Sequence, residues 1–443
     1  MDYAFPLTGK CLRDFLSEEE QAKIAENGRN KGELGNLVER YYFRINPGSR
    51  AVPDFEEAGM ELKTAAVVAK KRGKEGALPV DAISYRAKER LKLSTINYEK
   101  LVHEEWEGNS LFKKCGTILL LLSLFEAGVL MIDRKFVAHP IKWTLTNKDI
   151  DVLRTDWETI VAKVARGEAH LLSGSDTLYL EACTSGSGQM RSQPMSDEPA
   201  KERSFAFKSS FVNVSMIEGA RFVDLKPFLS PHTSPLKLED AVKDRLGRFE
   251  GQDVTSIAGS LGYELSKAKH RLALLSKKML GVDPKKTEEF VKADIEVKSV
   301  MLNPNGTPNQ DVSFPAFDYM DIVDESWEDS VFNQKINTRV LFMIYQKDEH
   351  GNVSFVKPAF WSMPLSDFKE AERVWTETKR RVMDGKADNL PSKKYSTVAH
   401  VRNHARDSKP EHRIPSPRNG MLAQKGFWLN AQYIRKQLET LLD

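Results

Sequence analysis

The chain repeats itself: four blocks of its first half return in the same order in its second half. Each block keeps most positions of its apolar residues, although the spacings between blocks differ. The matching pairs are KGELGNLVER (31–40) with KHRLALLSKK (269–278), PDFEEAGMELK (53–63) with EEFVKADIEVK (288–298), HEEWEGNSLFKK (103–114) with DESWEDSVFNQK (324–335), and RSFAFKSSF (203–211) with KGFWLNAQY (425–433). This ordered self-similarity predicts a tandem duplication of one fold.

A segment between the two halves has the composition of an interdomain linker. Residues 226–240, KPFLSPHTSPLKLED, combine three prolines with several polar residues. The 443 residues of the chain suffice for two large domains, since domains usually hold about 100–200 residues. We therefore predict a first domain over residues 1–225, a linker over 226–240 and a second domain over 241–443.

Helical and strand-like patterns alternate in the first half, which predicts a mixed fold. Residues 34–41 place apolar side chains at helical spacing, and ELKTAAVV (61–68) has the composition of a strand. The apolar run at 117–132 is broken by a glycine and predicts two buried strands, 117–125 and 128–132, joined by a tight turn. Residues 149–167 predict a helix. The expected class is α/β, with a central mixed sheet and helices packed outside it.

Charge and cysteine content limit the surroundings of the protein. The 66 Lys and Arg residues nearly balance the 63 Asp and Glu residues, so any basic surface must be local. Three cysteines without a CxxC pair predict a reducing, cytoplasmic compartment. The N-terminal residues MDYAFPLTGKC lack the pattern of a signal peptide, and the apolar run is too short to span a bilayer. We expect a cytoplasmic protein with no membrane segment.

The residues with the clearest chemical meaning are Asp54, Glu61 and Lys63. Side chains two residues apart on a strand share a face, so Glu61 and Lys63 point the same way, and the preceding turn can return Asp54 to their side. Two carboxylates and one ammonium group would then converge. Carboxylate oxygens suit Mg²⁺, and the lysine can position a water molecule or stabilise negative charge on a phosphate.

Each of these signals also has an ordinary explanation when it stands alone. An acid followed by Glu-x-Lys occurs on many solvated strand edges. Glu39 lies in the predicted helix, where most glutamates are exposed, although a place at the helix's inner border would add a third carboxylate. The basic segment 69–92 is either a solvated loop or a surface for phosphate contacts.

In combination, NKGELGNLVER (30–40), PDFEEAGMELKT (53–64) and the EEW block before a strand resemble the MutH mismatch-repair endonuclease and the Sau-type type II restriction enzymes, which share its PD-(D/E)xK fold. The resemblance spans nearly the whole chain, because those restriction enzymes also carry two MutH-like copies. It implies that the fold is a tandem MutH-like restriction-endonuclease fold and that the substrate is double-stranded DNA, cut at GATC with Mg²⁺.

The resemblance also implies roles for individual residues of the first copy. Asp54, Glu61 and Lys63 would be the catalytic trio, and Lys114 the lysine near the scissile phosphate. Glu39 would be the additional helix acid and would share the metal with Asp54 and Glu61.

Two positions differ from the mismatch-repair branch, where an Arg-Pro-Lys loop and a later tyrosine help to read the DNA. In this chain Glu181 falls near the arginine position, in the segment 176–188, and Ala206 stands where the tyrosine would be. The loop is more similar to that of the restriction enzymes. The GATC assignment therefore depends on family likeness and not on matched reading residues.

The second copy keeps the acid, six residues, Glu-x-Lys spacing in Glu289, Glu296 and Lys298. Lys277 replaces the helix acid, and a positive charge at that position weakens binding of a divalent metal. We expect a non-cutting copy that binds DNA, like the effector half of the restriction enzymes. Asp294 supplies an extra carboxylate, so a second active centre is the alternative.

Basic residues near these blocks are candidates for DNA contacts: Lys31, Lys70, Lys71, Arg72, Lys335, Arg402 and Lys425. The predicted function is a type II restriction endonuclease that leaves 5′-phosphate ends, acts alongside a cognate DNA methyltransferase and forms a dimer on DNA. Two alternatives stay open. One is a MutH-type nicking endonuclease of mismatch repair, which the duplication disfavours, and the other is a catalytically inactive DNA-binding protein.

Overall fold

The protein divides into two compact units, Met1–Asp224 and Leu225–Asp443. The computed structural model describes residues 1–26, 33–48, 52–69, 84–126, 128–185, 188–219, 225–230, 233–266, 268, 270–403 and 413–442. Four predicted DNA-contact residues, Lys31, Lys70, Lys71 and Arg72, lie outside the described residues. Within these ranges no helix has the length and apolar character needed to cross a bilayer.

The first unit combines short strands with helices of very different length. Its strands are β1 (Glu61–Ala69), β2 (Tyr85–Ala87), β3 (Leu91–Thr95), β4 (Thr117–Leu124), β5 (Ile141–Thr144), β6 (Leu180–Thr184), β7 (Met190–Gln193), β8 (Ser196–Lys201) and β9 (Arg203–Phe207). Its α-helices are α1 (Glu18–Glu26), α2 (Glu33–Leu37), α3 (Tyr98–Leu101), α4 (Ser110–Cys115), α5 (Asn147–Ala165) and α6 (Ser209–Phe211). The described part of this unit also contains two π-helices, Val38–Tyr42 and Val212–Glu218. Its 3₁₀ turns are Asp2–Leu7, Leu12–Phe15, Glu56–Ala58, Met131–Asp133, Ala169–Leu171 and Gly174–Asp176.

The main sheet of this unit has the strand order β2-β1-β4-β5. Strands β1 and β4 are parallel, with Glu61 opposite Ile118, whereas β2 and β5 pair antiparallel at the two sides. The continuous apolar run TILLLL makes β4 a central strand, because both of its faces are covered. A second sheet has the order β3-β9-β6, and β7 and β8 form a separate two-stranded ribbon.

One face of the main sheet packs against the helical segment that contains Glu39. Leu62 and Leu119 share an apolar cluster with Leu37 and Val38 of that segment. Because side chains alternate along a strand, burial of Leu62 on this face turns its neighbours Glu61 and Lys63 to the opposite face. The strand predicted at 61–68 and the helices predicted at 34–41 and 149–167 are confirmed, and the fold is mixed α/β.

The second strand predicted within the apolar run, at 128–132, is wrong. The described chain there forms a 3₁₀ turn at Met131–Asp133, and Leu130 is 46% exposed. Phe136 instead pairs with the N-terminal segment, since its N–H donates to the carbonyl of Lys10 at 2.8 Å. The strand that pairs antiparallel with β4 is β5, which begins nine residues after the predicted strand ends. Apolar composition alone could not distinguish a strand from a turn whose Asp133 pairs with Arg13, 120 residues away in the sequence.

The second unit has strands β10 (Glu296–Leu302), β11 (Val312–Ala316), β12 (Val340–Lys347), β13 (Val353–Trp361), β14 (Ala399–Asn403), β15 (Arg413–Ser416), β16 (Gly420–Ala423) and β17 (Lys425–Leu429). Its helices are α7 (Leu238–Gly247), α8 (Val254–Ser260), α9 (Arg271–Leu280), α10 (Glu288–Lys292), α11 (Tyr319–Ile322), α12 (Val331–Ile336), α13 (Leu365–Met383) and α14 (Ala431–Leu442), with 3₁₀ turns at Pro235–Lys237 and Pro284–Lys286. The sheets have the orders β10-β12-β13, β11-β17-β14 and β15-β16.

The strand pairing of the second unit follows that of the first. Strands β10 and β12 are parallel, with Glu296 opposite Val340, and β13 pairs antiparallel with β12. Within the segment predicted as a linker, Phe228 and Leu229 are buried. The division into two compact units falls between residues 224 and 225, and the linker over 226–240 stays a prediction.

The EEW block of the first unit and the ESW block of the second match because the tryptophan of each one anchors a short helix in the core of its own unit. Trp106 lies 5.9 Å from Trp157 of α5, and Trp327 lies 5.9 Å from Trp375 of α13, as measured between ring centroids. A polar side chain then caps the helix that follows: Asn109 accepts a hydrogen bond from Phe112 N at 2.6 Å. The tryptophan and the cap fix α4 and α12, whose last turns carry Lys114 and Lys335.

Candidate active site

A tight hairpin brings Asp54 back to the start of β1. Phe55 and Met60 form a bridge with N–H to carbonyl distances of 3.0 and 3.2 Å, and Gly59 closes the turn with φ of 57°. This left-handed conformation suits glycine, which has no Cβ. Asp54 Oδ2 accepts a hydrogen bond from the N–H of Leu62 at 3.0 Å. The six residues between Asp54 and Glu61 therefore form the predicted return turn.

Glu61 is the centre of the site and is almost completely buried, with a side chain 1% exposed. Its Oε1 atom accepts from Lys63 Nζ at 2.6 Å and from Lys114 Nζ at 3.4 Å. Its Oε2 atom is buried and has no hydrogen-bond partner among the described residues. A buried carboxylate oxygen without a partner costs free energy, and this is the position where an additional cation would be stabilised.

Glu39 lies on the π-helix Val38–Tyr42 and completes the carboxylate group. Burial, together with the negative charges of Asp54 and Glu61, raises the pKa of Glu39 to about 7, whereas the positive charges of Lys63 and Lys114 act against the rise. An acid responds in this way only when other charged groups lie close to it. The five residues predicted for the first copy, Glu39, Asp54, Glu61, Lys63 and Lys114, are thus neighbours.

The charges of this cluster leave room for a cation. Three ionised carboxylates and two ammonium groups sum to −1, and a protonated Glu39 removes that excess. With the side chains as they stand, no group of three His, Cys, Asp or Glu residues in the described ranges is arranged to hold a metal ion. In this arrangement Lys63 donates a hydrogen bond to Glu61, and Asp54 accepts one from the N–H of Leu62. The carboxylate donors and the partnerless Oε2 of Glu61 nevertheless fit a hard divalent cation in chemical type.

Replacing Glu39 by glutamine should stabilise the metal-free protein above neutral pH. The raised pKa means that the unfolded chain ionises near the usual value of 4.5, whereas the folded protein holds its proton to about pH 7. Stability from this group is therefore present below pH 4.5 and is lost as the pH rises through 7. We expect Glu39→Gln to gain up to about 3 kcal/mol at pH 8 and almost nothing at pH 4.5.

The measurement is denaturant unfolding in EDTA at several pH values, for the wild type and the Glu39→Gln variant. A stability difference that does not change with pH would mean that Glu39 is exposed and unrelated to the other carboxylates.

The corresponding cluster of the second unit is filled by a lysine. Lys335 Nζ donates to Asp294 Oδ1 at 2.6 Å and contacts Glu296 Oε1 at 3.2 Å, while Lys298 Nζ contacts Glu296 Oε2 at 2.7 Å. These ammonium groups lower the pKa of Glu296 to about 2 in spite of its burial. Two carboxylates and two ammonium groups sum to zero, so this cluster has no charge left for a metal.

The acid of the second copy that the sequence aligned with Asp54 has a different task. Glu289 is 2% exposed, and its carboxylate accepts hydrogen bonds from the N–H groups of Phe228 and Leu229 at 2.9 and 3.3 Å. The nearby carboxylate comes instead from Asp294, which has φ of 54° at the position that Gly59 occupies in the first unit. Lys277 pairs with Asp283 at 2.9 Å.

The described DNA-contact candidates of the second unit are already engaged within the protein. Lys335 belongs to the filled cluster, and Lys425 Nζ donates to the carbonyl groups of Ala387 and Asp388 at 3.0 and 2.8 Å. Arg402 stacks 3.9 Å above the ring of Trp428 and contacts Asp311 at 3.2 Å. Arg402 and Lys425 also line an open pocket of about 680 Å³ together with Arg413, and this pocket is basic. Their role in DNA binding stays a prediction.

Sequence reasoning missed a buried ion pair beside the predicted reading loop. Glu181 pairs with Arg90, and both side chains are nearly buried, at 5% and 6% exposure. In the second unit the acidic and basic positions are reversed. Asp311, which precedes β11 as Arg90 precedes β3, contacts His400 and Arg402 on β14, the strand that corresponds to the β6 strand of Glu181. Arg90 and Asp311 each stand one residue before a strand, but no local pattern indicates their partners. Glu181 therefore has an internal partner and is not displayed for reading DNA.

Comparisons with known proteins agree with this geometry. The family model of the DNA mismatch repair enzyme MutH matches the chain twice, over residues 43–156 and 280–372. The first match contains Asp54, Glu61, Lys63 and Lys114. The type II restriction enzyme Sau3AI of Staphylococcus aureus is 28% identical, and the similarity covers 94% of each chain.

Mismatch-repair proteins match only part of the chain. The DNA mismatch repair protein MutH of Shewanella woodyi is 27% identical over 33% of this chain and 56% of its own length, and that of Photorhabdus laumondii is 27% identical over 32% and 54%. The chain is therefore similar to a type II restriction enzyme over nearly its whole length, and each of its two units contains a segment that matches the MutH family model.

Proposed function

We propose that the protein is a type II restriction endonuclease that cleaves both strands of DNA at GATC with Mg²⁺ and leaves 5′-phosphate ends. The observation that carries the proposal is the convergence of Asp54, Glu61 and Lys63 beside Glu39 and Lys114. The similarity to Sau3AI over 94% of both chains favours restriction over mismatch repair. The GATC site and Mg²⁺ follow from family likeness.

Each residue of the cluster has a chemical task in this reaction. Asp54, Glu61 and Glu39 would hold the cation, which supplies polarisation of the scissile phosphate and a lower pKa for the attacking water. Lys63 would turn from Glu61 towards the phosphate, where its ammonium group stabilises the charge that develops on the oxygens. Lys114 is nearly buried and would hold the Glu61 carboxylate in its orientation.

Cation binding and Glu39 ionisation would be coupled. Because the pKa of Glu39 is about 7, this carboxylate is partly protonated at neutral pH when no cation is present. A bound cation favours the ionised form of Glu39. Molecules in which Glu39 is protonated would therefore release that proton when the cation binds. The requirement for Mg²⁺ should accordingly be greater at pH 6 than at pH 8.

We further propose that the two units arose by tandem duplication and that only the first one cuts. The repeated strand pairing and the two matches of the MutH model support a duplication. The neutral cluster of Asp294, Glu296, Lys298 and Lys335 supports a second unit without metal chemistry. Its role would be DNA binding, with the basic pocket of Arg402, Arg413 and Lys425 as the contact surface.

The cellular setting follows from the proposed activity. An enzyme that cuts GATC needs a methyltransferase that protects the host DNA, and both would act in the cytoplasm. A single active centre must either cut the two strands in turn or act with a second copy on the DNA, so we expect dimers to form on DNA.

The test is incubation of the protein with two duplexes that differ only at one GATC site, in the presence of Mg²⁺. We expect cleavage of both strands of the GATC duplex alone, with a phosphate on each new 5′ end. Nicks in one strand of hemimethylated DNA would instead indicate a repair endonuclease. Binding without any cleavage in Mg²⁺ or Mn²⁺ would show that the first unit is not an active centre.

A further inference from the structure

An aromatic contact joins the two backbone segments that carry Glu39 and Asp54. Phe43 follows the π-helix of Glu39, and Phe55 directly follows Asp54. Their ring centroids are 5.5 Å apart with an interplanar angle of 73°, which is the edge-to-face arrangement that aromatic pairs favour. The contact spans the gap between a helical turn and a hairpin that are separate in sequence.

Phe43 also contacts two tyrosines. Its ring lies 5.7 Å from that of Tyr3 and 5.1 Å from that of Tyr42. The two tyrosines are joined by reciprocal hydrogen bonds: Tyr3 Oη donates to the carbonyl of Tyr42 at 3.1 Å, and Tyr42 Oη donates to the carbonyl of Tyr3 at 2.7 Å. Phe43 therefore contacts both the N-terminal segment and the Asp54 hairpin.

Backbone hydrogen bonds transmit the position of Phe43 to Glu39. The N–H of Phe43 donates to Val38 at 3.0 Å, and the N–H of Ile45 donates to the carbonyl of Glu39 itself at 2.8 Å. The hairpin is equally constrained, because Phe55 bridges Met60. A displacement at the ring contact would thus move the backbone of Glu39 relative to Asp54.

The second unit packs its equivalent phenylalanine differently. Phe290, which follows Glu289 as Phe55 follows Asp54, contacts Phe228 at 5.5 Å and 89°. Phe228 belongs to the start of the unit and not to helix α9, which is followed by the capping residue Gly281 with φ of 73°. In the unit whose helix carries Lys277 in place of an acid, the ring contact therefore does not join that helix to the hairpin.

We propose that Phe43 is a positioning residue that holds Glu39 close to Asp54 and thereby sets the affinity of the first unit for a divalent cation. The carboxylates of Glu39 and Asp54 repel each other, so packing must hold them together before a cation binds. The proposal rests on the proposed function, because it assumes that these carboxylates share a cation. Phe43 itself would touch neither the cation nor the DNA.

The test compares Phe43→Ala with Phe43→Leu in two measurements. Calorimetric titration of the DNA-free protein with Mn²⁺ measures binding directly, and cleavage at increasing Mg²⁺ gives the half-saturating concentration and the maximal rate. Removal of groups that orient metal ligands weakens binding by about 10- to 100-fold. We expect Phe43→Ala to lower Mn²⁺ affinity and raise the half-saturating Mg²⁺ by about tenfold, with a maximal rate within about threefold of the wild type. Phe43→Leu should restore most of the affinity.

Phe5→Ala is the matched control, because Phe5 is an exposed aromatic of the same N-terminal segment that packs on His139. It should leave both measurements unchanged. Wild-type affinity in Phe43→Ala would overturn the proposal, as would a lost maximal rate without a change in cation dependence. If the wild type itself neither binds Mn²⁺ nor cuts, the proposed function fails; if it does both and Phe43→Ala is identical to it, only this inference fails.

Discussion

Replacement of Lys63 by alanine should lower the rate of DNA cleavage by about 100- to 1,000-fold and leave DNA binding nearly unchanged. The Lys63 ammonium group lies 2.6 Å from the most buried carboxylate of the site, on the strand face where a phosphate would be placed. Loss of one group that stabilises developing charge typically has an effect of this size. The rate is measured under single turnover in saturating Mg²⁺, and binding is measured in Ca²⁺.

Lys298→Ala is the control for this change, since Lys298 contacts Glu296 in the second unit as Lys63 contacts Glu61 in the first. Lys298→Ala should cut at the rate of the wild type when the DNA is saturating. Cleavage that survives Lys63→Ala, or that disappears only in Lys298→Ala, would place the active centre elsewhere in the chain.

The Glu61→Gln change should have an even larger effect on cleavage, a loss of about three orders of magnitude. It removes the central negative charge, and metal polarisation of a phosphate is worth several kcal/mol. Lys63 and Lys114 would then face each other without the carboxylate that separates their charges. We therefore also expect weaker Mn²⁺ binding in calorimetry. Thermal unfolding in EDTA shows whether the variant is still folded.

Glu296→Gln is the matched change in the second unit and should leave Mn²⁺ binding and the cleavage rate at saturating DNA unaltered. The change should instead lower the free energy of unfolding, because Lys335 and Lys298 both contact this carboxylate. The pKa of Glu296 is lowered to about 2, so its contribution is present above pH 4.5 and is lost as the pH falls towards 2. Equal cleavage by wild type and Glu61→Gln would refute the assignment of the site.

The convergence of Asp54, Glu61 and Lys63 could be predicted from the sequence because local geometry determines it. A strand period of two places Glu61 and Lys63 on one face, and the turn that contains Gly59 returns the chain within six residues. The long helices were predictable for a related reason, since their apolar residues recur at helical spacing. Lys114 could be assigned only through the family resemblance, whereas the helical pattern offered Glu39 as a third carboxylate only if it lay at the helix's inner border.

The second unit shows where the same reasoning fails. Glu289 keeps the spacing of Asp54, but its carboxylate caps the backbone of Phe228 and Leu229. The acid that faces Lys335 is Asp294, whose left-handed backbone directs it towards α12. These partners lie 41 to 61 residues away in sequence, so no short pattern contains them.

The aromatic contact of Phe43 and the ion pair of Arg90 with Glu181 were missed for the same physical reason. Each depends on which elements meet in the folded chain, and the sequence offers only a phenylalanine after a helix and an arginine before a strand. Side chains that support a site are harder to find in a sequence than the groups that perform its chemistry, because many residue types can serve at a supporting position.

The most direct test of the account is the location of Mn²⁺ by anomalous scattering in crystals of the Lys63→Ala protein bound to a GATC duplex. We predict a peak at coordination distance, about 2.0–2.2 Å, from the carboxylates of Asp54 and Glu61, and none between Asp294 and Glu296. An empty first-unit cluster beside bound DNA, or a peak in the cluster of Asp294 and Glu296, would contradict the claim that the first unit alone is the active centre.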